Sequence, residues 1–510
     1  MSDNSANNKL IARNTTFLYI RMFIVLVISL YVTRVVFNSL GVVDFGIYNV
    51  VAGFVSLFSF LEATLSGSMQ RFYNYLGTKE GESGFNKVYS AGIKIAAYSA
   101  IALFILFETL GIWYINNVMV VPEERLTSAN VIFQFVVFSF VLMFVRMPYV
   151  GMIMAKEKMD FYAVVYIAEA VLKLGMALAL PWLPGDTLIV YGLSMFLISL
   201  VVCLMMVIYV KRSFNFLHFS KHQDKDTFKS LLGFSGWSLV GTFAFMLKGE
   251  GLNLLLNSFF GPIVNAARGI AFQVSGAVSG FSANLSMAFR PQVVNSYSSG
   301  DNNRCTQLLF LESKICYSML LVIVVPLIMD IGYVLTLWLG DDVPSNALIF
   351  TVLVLVDALI CSLNTPLTQV AHSVGNIKYY QIANSSVNIL LLPASWLLLH
   401  WGCSPTSVFV CTIVFSILNQ TVCLHELHKL YEYSSLSYLR EVVLPCMLIS
   451  LIVPVVPAVL HKTMDSSILR LILESIASLF AGLGCVYFII LNNNERTRIR
   501  TIIRAKIWKG

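Results

Sequence analysis

Fourteen apolar runs, each about twenty residues long, follow one another along this chain with only short polar or turn-forming stretches between them. A helix rises about 1.5 Å per residue and bilayer hydrocarbon is about 30 Å thick, so each run is long enough to cross. The runs lie near 16–37, 43–65, 91–115, 127–148, 161–183, 187–210, 233–257, 263–289, 313–336, 346–370, 380–400, 405–424, 441–460 and 468–491. Barrel strands alternate in polarity and last about ten residues, so helices are expected instead. Composition agrees, with 57% hydrophobic and 12% charged residues and a mean hydropathy of +0.78. The expected fold class is an all-α integral membrane protein of about 14 transmembrane helices.

Positive residues in short loops stay cytoplasmic. With the N-terminus inside, cytoplasmic segments hold 25 of the 34 Lys and Arg residues, while outside loops hold only Arg125 and Lys462. Both termini are therefore expected in the cytoplasm. No outside connection is much longer than "NNVMVVPEERLT", which leaves no room there for a catalytic or receptor domain. Inside, residues 211–235 and the tail "NNNERTRIRTIIRAKIWKG" mix basic and apolar residues as interfacial helices do, which suits an anionic leaflet and topological anchoring.

The stretch from Val35, "VVFNSLGVVDFGIYNVVAGFVS", aligns without gaps on "LLLNSFFGPIVNAARGIAFQVS" from Leu254, a shift of 219 residues. Asn38 matches Asn257, Ser39 matches Ser258, and further on Arg71 matches Arg290. A shift of six spans preserves orientation, so two parallel six-helix lobes are expected, an arrangement common in transporters. The chain then divides into an N-terminal lobe 1–210, a cytoplasmic linker 211–232, a C-terminal lobe 233–425, two extra spans in 426–491 and a basic tail 492–510.

Beyond the 25 cytoplasmic and two outside residues, seven basic residues remain within spans. Arg21 and Arg146 lie near cytoplasmic ends and Arg470 near an outer end, where long side chains reach the headgroups, so these three carry no functional assignment. Lys248 and Glu250 sit near the middle of span 7, and Glu169 and Lys173 at mid-depth in span 5. A charge at that depth costs at least about 2.5 kcal/mol and must face protein or a wet cavity. Glu169 and Lys173 have the order and spacing of an intrahelical ion pair, which is their structural explanation. Lys248 and Glu250 point to different faces of a helix and cannot simply neutralise each other; Lys248 faces either a cavity or a carboxylate on a neighbouring helix. Gly249 and Gly251 let this span bend. Arg34 and Arg268, in the outer thirds of spans 1 and 8, either line a cavity or snorkel. Asp357, central in span 10, is a candidate proton or sodium site or a salt-bridge partner.

The nine cysteines show no metal spacing and no expected disulfide, and His425 and His428 in "LHELHKL" are too few ligands for zinc. No metal and no bound cofactor is expected, and there is no GxxxxGK[ST] phosphate loop. No nucleic-acid partner is expected either.

The segments "ARNTTFLYIRMFIVLVISLYVTRVVFNSLGVVDFGIYNVV" and "GEGLNLLLNSFFGPIVNAARGIAFQVSGAVSGFSANLSMAFRPQVVNSYSSGD" resemble bacterial polysaccharide exporters of the O-antigen flippase type. These belong to the superfamily of multidrug and toxin extruders and lipid II flippases. The resemblance implies two pseudo-symmetric lobes around a central cavity. It also implies transfer of an undecaprenyl-pyrophosphate-linked oligosaccharide across the bacterial inner membrane, coupled to an H+ or Na+ gradient, with membrane lipids and other polysaccharide assembly proteins as partners. Pyrophosphate binding would fall on Lys248 and Arg268, with Arg34. The family pattern has twelve spans; the two further ones form a lipid-facing groove in the lipid II flippase branch.

The chain is thus expected to be a transporter, not an enzyme. A drug or cation antiporter on the same scaffold is the rival, although it favours a net acidic cavity. A membrane polysaccharide polymerase or ligase commonly needs a large outer loop, which is absent here.

Overall fold

A computed structural model describes the backbone of residues 2–220, 225–374, 377–431, 433–491 and 496, and the side chains among them from residue 23 onward except 63, 225, 232–241, 288, 291 and 298. Among the described residues the regular structure is helical throughout, and eleven helices are long and apolar enough to cross a membrane. The chain is an all-α, multi-pass integral membrane protein. The difference from fourteen arises at three places. Phe23–Ser56 counts once although Gly41 divides it between the two spans suggested by the sequence, and among the described residues the segments of spans 7 and 8 do not qualify. Span 8, in the helix Pro262–Ser298, is rich in small and polar residues such as Asn265, Gln273, Ser275 and Ser279. The chain forms two compact units, Met1–Ala266 and Ala267–Gly510. Span 7 packs within the first, against the helices Ser59–Glu80 and Glu82–Leu106.

In the first unit, Gly41 breaks the long helix Ser2–Ser56 with φ 74° and ψ 174°, a conformation open to glycine because a Cβ would clash there. Gly261, between the helices Leu252–Phe260 and Pro262–Ser298, has nearly the same conformation, φ 74° and ψ −172°. The repeat found in the sequence is thus visible in the backbone, but the turn glycines are 220 residues apart, one more than the ungapped alignment gives.

The stretch after Gly41 lies close against this second turn. Gly46 and Gly53, two turns apart on one face, let it approach: a Cβ at Gly46 would collide with the Pro262 carbonyl, and one at Gly53 would strike Asn253 and Glu250. Buried asparagines seal the contact. Asn253 donates to the Asn49 carbonyl at 3.1 Å, Asn265 donates to the Asn253 carbonyl at 2.7 Å, and Asn257 accepts from the Val120 amide at 2.9 Å. Aromatic rings fill the interior beside them: Phe54 stacks on Tyr114 at 5.2 Å, and Phe107 meets Phe140 edge-on at 5.4 Å.

At the end of the bundle expected to face outside, Arg125 ties three segments together. Its guanidinium binds Asp44 and reaches Asp186 at 2.7 Å, while Ser128 donates to Asp186 at 2.9 Å. Asp186 also caps the helix Thr187–Ser213 by accepting from the Leu188 and Ile189 amides. Beyond that helix, residues 214–220 are irregular and not the interfacial helix expected. Phe216 packs against Phe85 at 5.6 Å, and the His218 and Ser220 amides bond to Asn86 and Ser90, so the segment is strapped to the helix Glu82–Leu106. Apart from residue 496, the basic tail lies outside the described residues.

The second unit is built on the helix Asn302–Met329. The last two helical segments pack against it: Tyr317 bonds Ser450 at 2.8 Å, and Ser478 donates to the Val322 carbonyl at 2.8 Å. Arg470 does not snorkel. It is 6% exposed, paired with Asp330, and bonded to the Met464 carbonyl at 2.8 Å. Lys314, counted from the sequence among the cytoplasmic lysines, is 7% exposed and donates to the Ile490 carbonyl at 3.2 Å. His428 is held by the Tyr433 carbonyl at 2.6 Å, which accounts for it structurally.

Two outcomes follow. Gly46→Ala forces the stretch after Gly41 off the Pro262 carbonyl and should lower stability by about 1–3 kcal/mol, because the colliding atom is backbone and cannot swing away. Gly175→Ala, whose Cβ meets nothing within 4 Å, should not lower it; thermal unfolding of the purified protein reads both. For Asp186, burial alone would raise the pKa, but the bonds from Ser128, Arg125 and the Ile189 amide and the Arg125 charge outweigh it and hold the carboxyl below its usual range. Its stabilisation is therefore complete above about pH 4 and lost as pH falls through the depressed value. The deficit of Asp186→Asn against wild type should be constant near neutrality and shrink on acidification, as measured by unfolding at stepped pH.

Candidate functional site

Span 7 consists of the helices Lys225–Met246 and Leu252–Phe260 joined by a wide π-helical turn, Leu247–Gly251. Such a turn holds one residue more than an α-helical turn and occurs often at functional sites. Its sequence is "LKGEG", so Lys248 and Glu250 both project from it, half-buried. Glu250 is anchored: its carboxylate accepts from Asn253 Nδ2 at 3.3 Å beside Gly53. On the other side, a Cβ at Gly249 would meet nothing within 4 Å.

Arg34 lines an open cavity of about 760 Å³ with Tyr31, Asn38, Ser39, Pro181 and Thr187. The Asn-Ser pair that exposed the repeat therefore faces this cavity in its first copy. In its second copy it is structural: Asn257 is fully buried and Ser258 bonds back to the Leu254 carbonyl at 3.0 Å.

Glu169 and Lys173 make the intrahelical ion pair at 2.6 Å. Glu169 also lines a smaller cavity of about 210 Å³ with Arg146, Ser56, Ser59, Ser139 and Ser199. Glu169 Oε2 and Arg146 Nε are buried there without a hydrogen-bond partner among the described residues. Arg146 was passed over in the sequence because it lay near the cytoplasmic end of an apolar run closing at 148, within reach of the headgroups. The helix instead continues through Pro148 to Ala155, which places Arg146 among polar side chains inside the bundle.

In the second unit, Arg268 is 6% exposed with its guanidinium 4.1 Å from the centre of the Phe272 ring, a cation–π contact. Asp357 accepts from Cys361 at 3.7 Å, and Cys361 in turn lies 3.8 Å from Ser416. The sequence also missed Glu312, which is fully buried and accepts from Gln369 at 3.3 Å. Its helix starts at Asn302, well before the apolar run, so the residue looked like part of a loop. Of the residues singled out from the sequence, Lys248 and Glu250 share one turn and Glu169 and Lys173 form a pair. Arg34 lies at a separate cavity of the first unit, and Arg268 and Asp357 belong to the second.

No family model matches the chain, and no curated protein is significantly similar to it in sequence. Its backbone does match solved transporters. The lipid II flippase MurJ in an inward closed conformation superposes with a TM-score of 0.66 at 14% identity, covering 92% of this chain and 97% of that one. An inward-facing multidrug resistance MATE family transporter of the MOP superfamily gives 0.63 at 13% identity, covering 79% and 95%. The MATE multidrug transporter DinF-BH gives 0.62 at 17% identity, covering 82% and 95%. At these identities the likeness is one of fold.

If the open side of the wide turn is wet, Gly249→Cys in a background lacking the nine native cysteines should be modified by a charged methanethiosulfonate in native membranes. A thiol that reacts only after detergent solubilisation would place that face against lipid.

Proposed function

We propose that this chain is a flippase that moves an undecaprenyl-pyrophosphate-linked oligosaccharide across the bacterial inner membrane for surface polysaccharide synthesis. It works by alternating access, without covalent chemistry, coupled to an H+ or Na+ gradient, and both termini lie in the cytoplasm. The observation that carries this reading is the extent of the structural likeness. The lipid II flippase spans 92% of the chain, whereas the two multidrug transporters span 79% and 82%. Deep cations of the first unit supply the chemistry. Lys248 in the wide turn and Arg34 in the 760 Å³ cavity are candidates for the pyrophosphate and acidic sugars, with Arg268 in the second unit. Glu250, Glu169 and Lys173 would then tune the local charge, and Asp357 is the candidate for ion coupling.

A second reading, a multidrug or cation antiporter, draws on the MATE transporters among the structural neighbours and on the carboxylates Glu312 and Asp357 inside the second unit. An export assay separates the two. A charge-assisted contact to phosphate is worth about 1.5–3 kcal/mol, so Lys248→Ala should cut surface polysaccharide roughly tenfold or more at normal protein level. Unchanged export in that variant would remove Lys248 from the transport path. Efflux of a cationic dye by the wild type in a pump-deficient strain, with no effect on polysaccharide, would favour the antiporter.

A further inference from the structure

Asp330, His461 and Glu474 converge where the last two helices meet the helix Asn302–Met329, and their ligand atoms all lie within 4.8 Å of one another. His461 Nδ1 is 3.5 Å from Asp330 Oδ1 and 3.3 Å from Glu474 Oε1. Tetrahedral zinc binds such atoms at about 2.0–2.2 Å, which sets neighbouring ligands about 3.4 Å apart. The two measured separations match that spacing.

The electrostatics also favour a cation. Both carboxylate side chains are fully buried, and Arg470 is committed to Asp330, which it grips with Nε and Nη2. Arg470 Nε is 3.7 Å from Glu474 Oε1, and neither Glu474 oxygen has a hydrogen-bond donor among the described residues. His461 Nδ1 likewise has no hydrogen-bond partner there. A buried carboxylate with both oxygens unsatisfied costs several kcal/mol unless something positive sits against it. Arg470 also fixes the ligand-bearing segment, through the carbonyls of His461 and Met464. The His461 side chain is 38% exposed, so the cluster lies beneath a partly open side chain.

We infer that Asp330, His461 and Glu474 form a binding site for a divalent first-row metal ion, Zn²⁺ being the best match, which clips the last two helices to the rest of the second unit. One imidazole with two carboxylates suits zinc better than calcium or magnesium, which take oxygen ligands alone. The three residues are separated by 131 and 13 positions, so no sequence spacing announces them.

The test is titration of ZnCl₂ into the full-length protein after chelator treatment, read by calorimetry, thermal unfolding and X-ray absorption. Saturable binding of one Zn²⁺ per chain is expected, with a higher unfolding temperature and nitrogen and oxygen atoms bonded to the metal at about 2.0–2.1 Å. Glu474→Gln should weaken binding at least tenfold. Because a buried substitution can impair folding, His461→Ala at the partly exposed ligand provides the second arm and should abolish the thermal shift. Sulfur bonded to the metal, equal binding by His461→Ala, or no saturable binding would each overturn the site. So would a stabilisation that follows acidification alone and ignores zinc.

Discussion

A polar group inside hydrocarbon has no water to return to, so each one needs a partner supplied by the protein. That requirement shapes both units. Serines and threonines on the helices bond back one turn, as Ser39 does to the Val35 carbonyl at 2.8 Å and Thr351 to the Ala347 carbonyl at 2.7 Å. Asparagines bond across helices, and the glycines at 46 and 53 are what let the backbones come near enough for Asn253 to reach Asn49. The same requirement sorts the charges. Arg470 is matched by Asp330 and Lys173 by Glu169, and at the end expected to face outside Arg125 is matched by two aspartates.

Much of the fold was legible because hydrophobic length is a local property. The fold class, the short connections and the repeat could be read from runs of side chains, and the repeat reappears in the matching backbones of Gly41 and Gly261. Helix ends were not legible, because hydropathy reports where apolar residues stop and not where the helix stops. Arg146 and Glu312 were lost for this reason. Each lies on a helix that runs past its apolar stretch, through Pro148 in one case and back to Asn302 in the other. Arg470 was misjudged for a different reason: its partner Asp330 is 140 residues away, and nothing in either local sequence points to the other.

In the candidate site, spacing decided what could be read. The four-residue step from Glu169 to Lys173 fixes an intrahelical pair, and it is present. The two glycines beside Lys248 and Glu250 signalled a departure from a regular helix, and the chain does depart there. The kind of departure was not readable, since a kink and an inserted residue leave the same glycine signature. A cavity at Arg34 was one of two readings the sequence left open, but its far wall was not legible, because it comes from residues 180–187, well over a hundred positions downstream.

The wide turn at 247–251 has consequences for how such a site can move. After it, Asn253 and Asn257 are bonded to the Asn49 carbonyl and the Val120 amide, so the helix Leu252–Phe260 is fixed in place. Before it, the helix Lys225–Met246 lies against Ser59–Glu80 and Glu82–Leu106. Lys248 therefore sits at a junction between two packed segments. An extra residue in a helix can shift by one position without breaking the helix on either side, and each residue of α-helix corresponds to about 100° of rotation. Reorienting Lys248 this way disturbs only a few hydrogen bonds, whereas tilting the helix Leu252–Phe260 would break the buried asparagine contacts. A cation carried on such a turn can thus change the direction it faces while the framework around it stays packed.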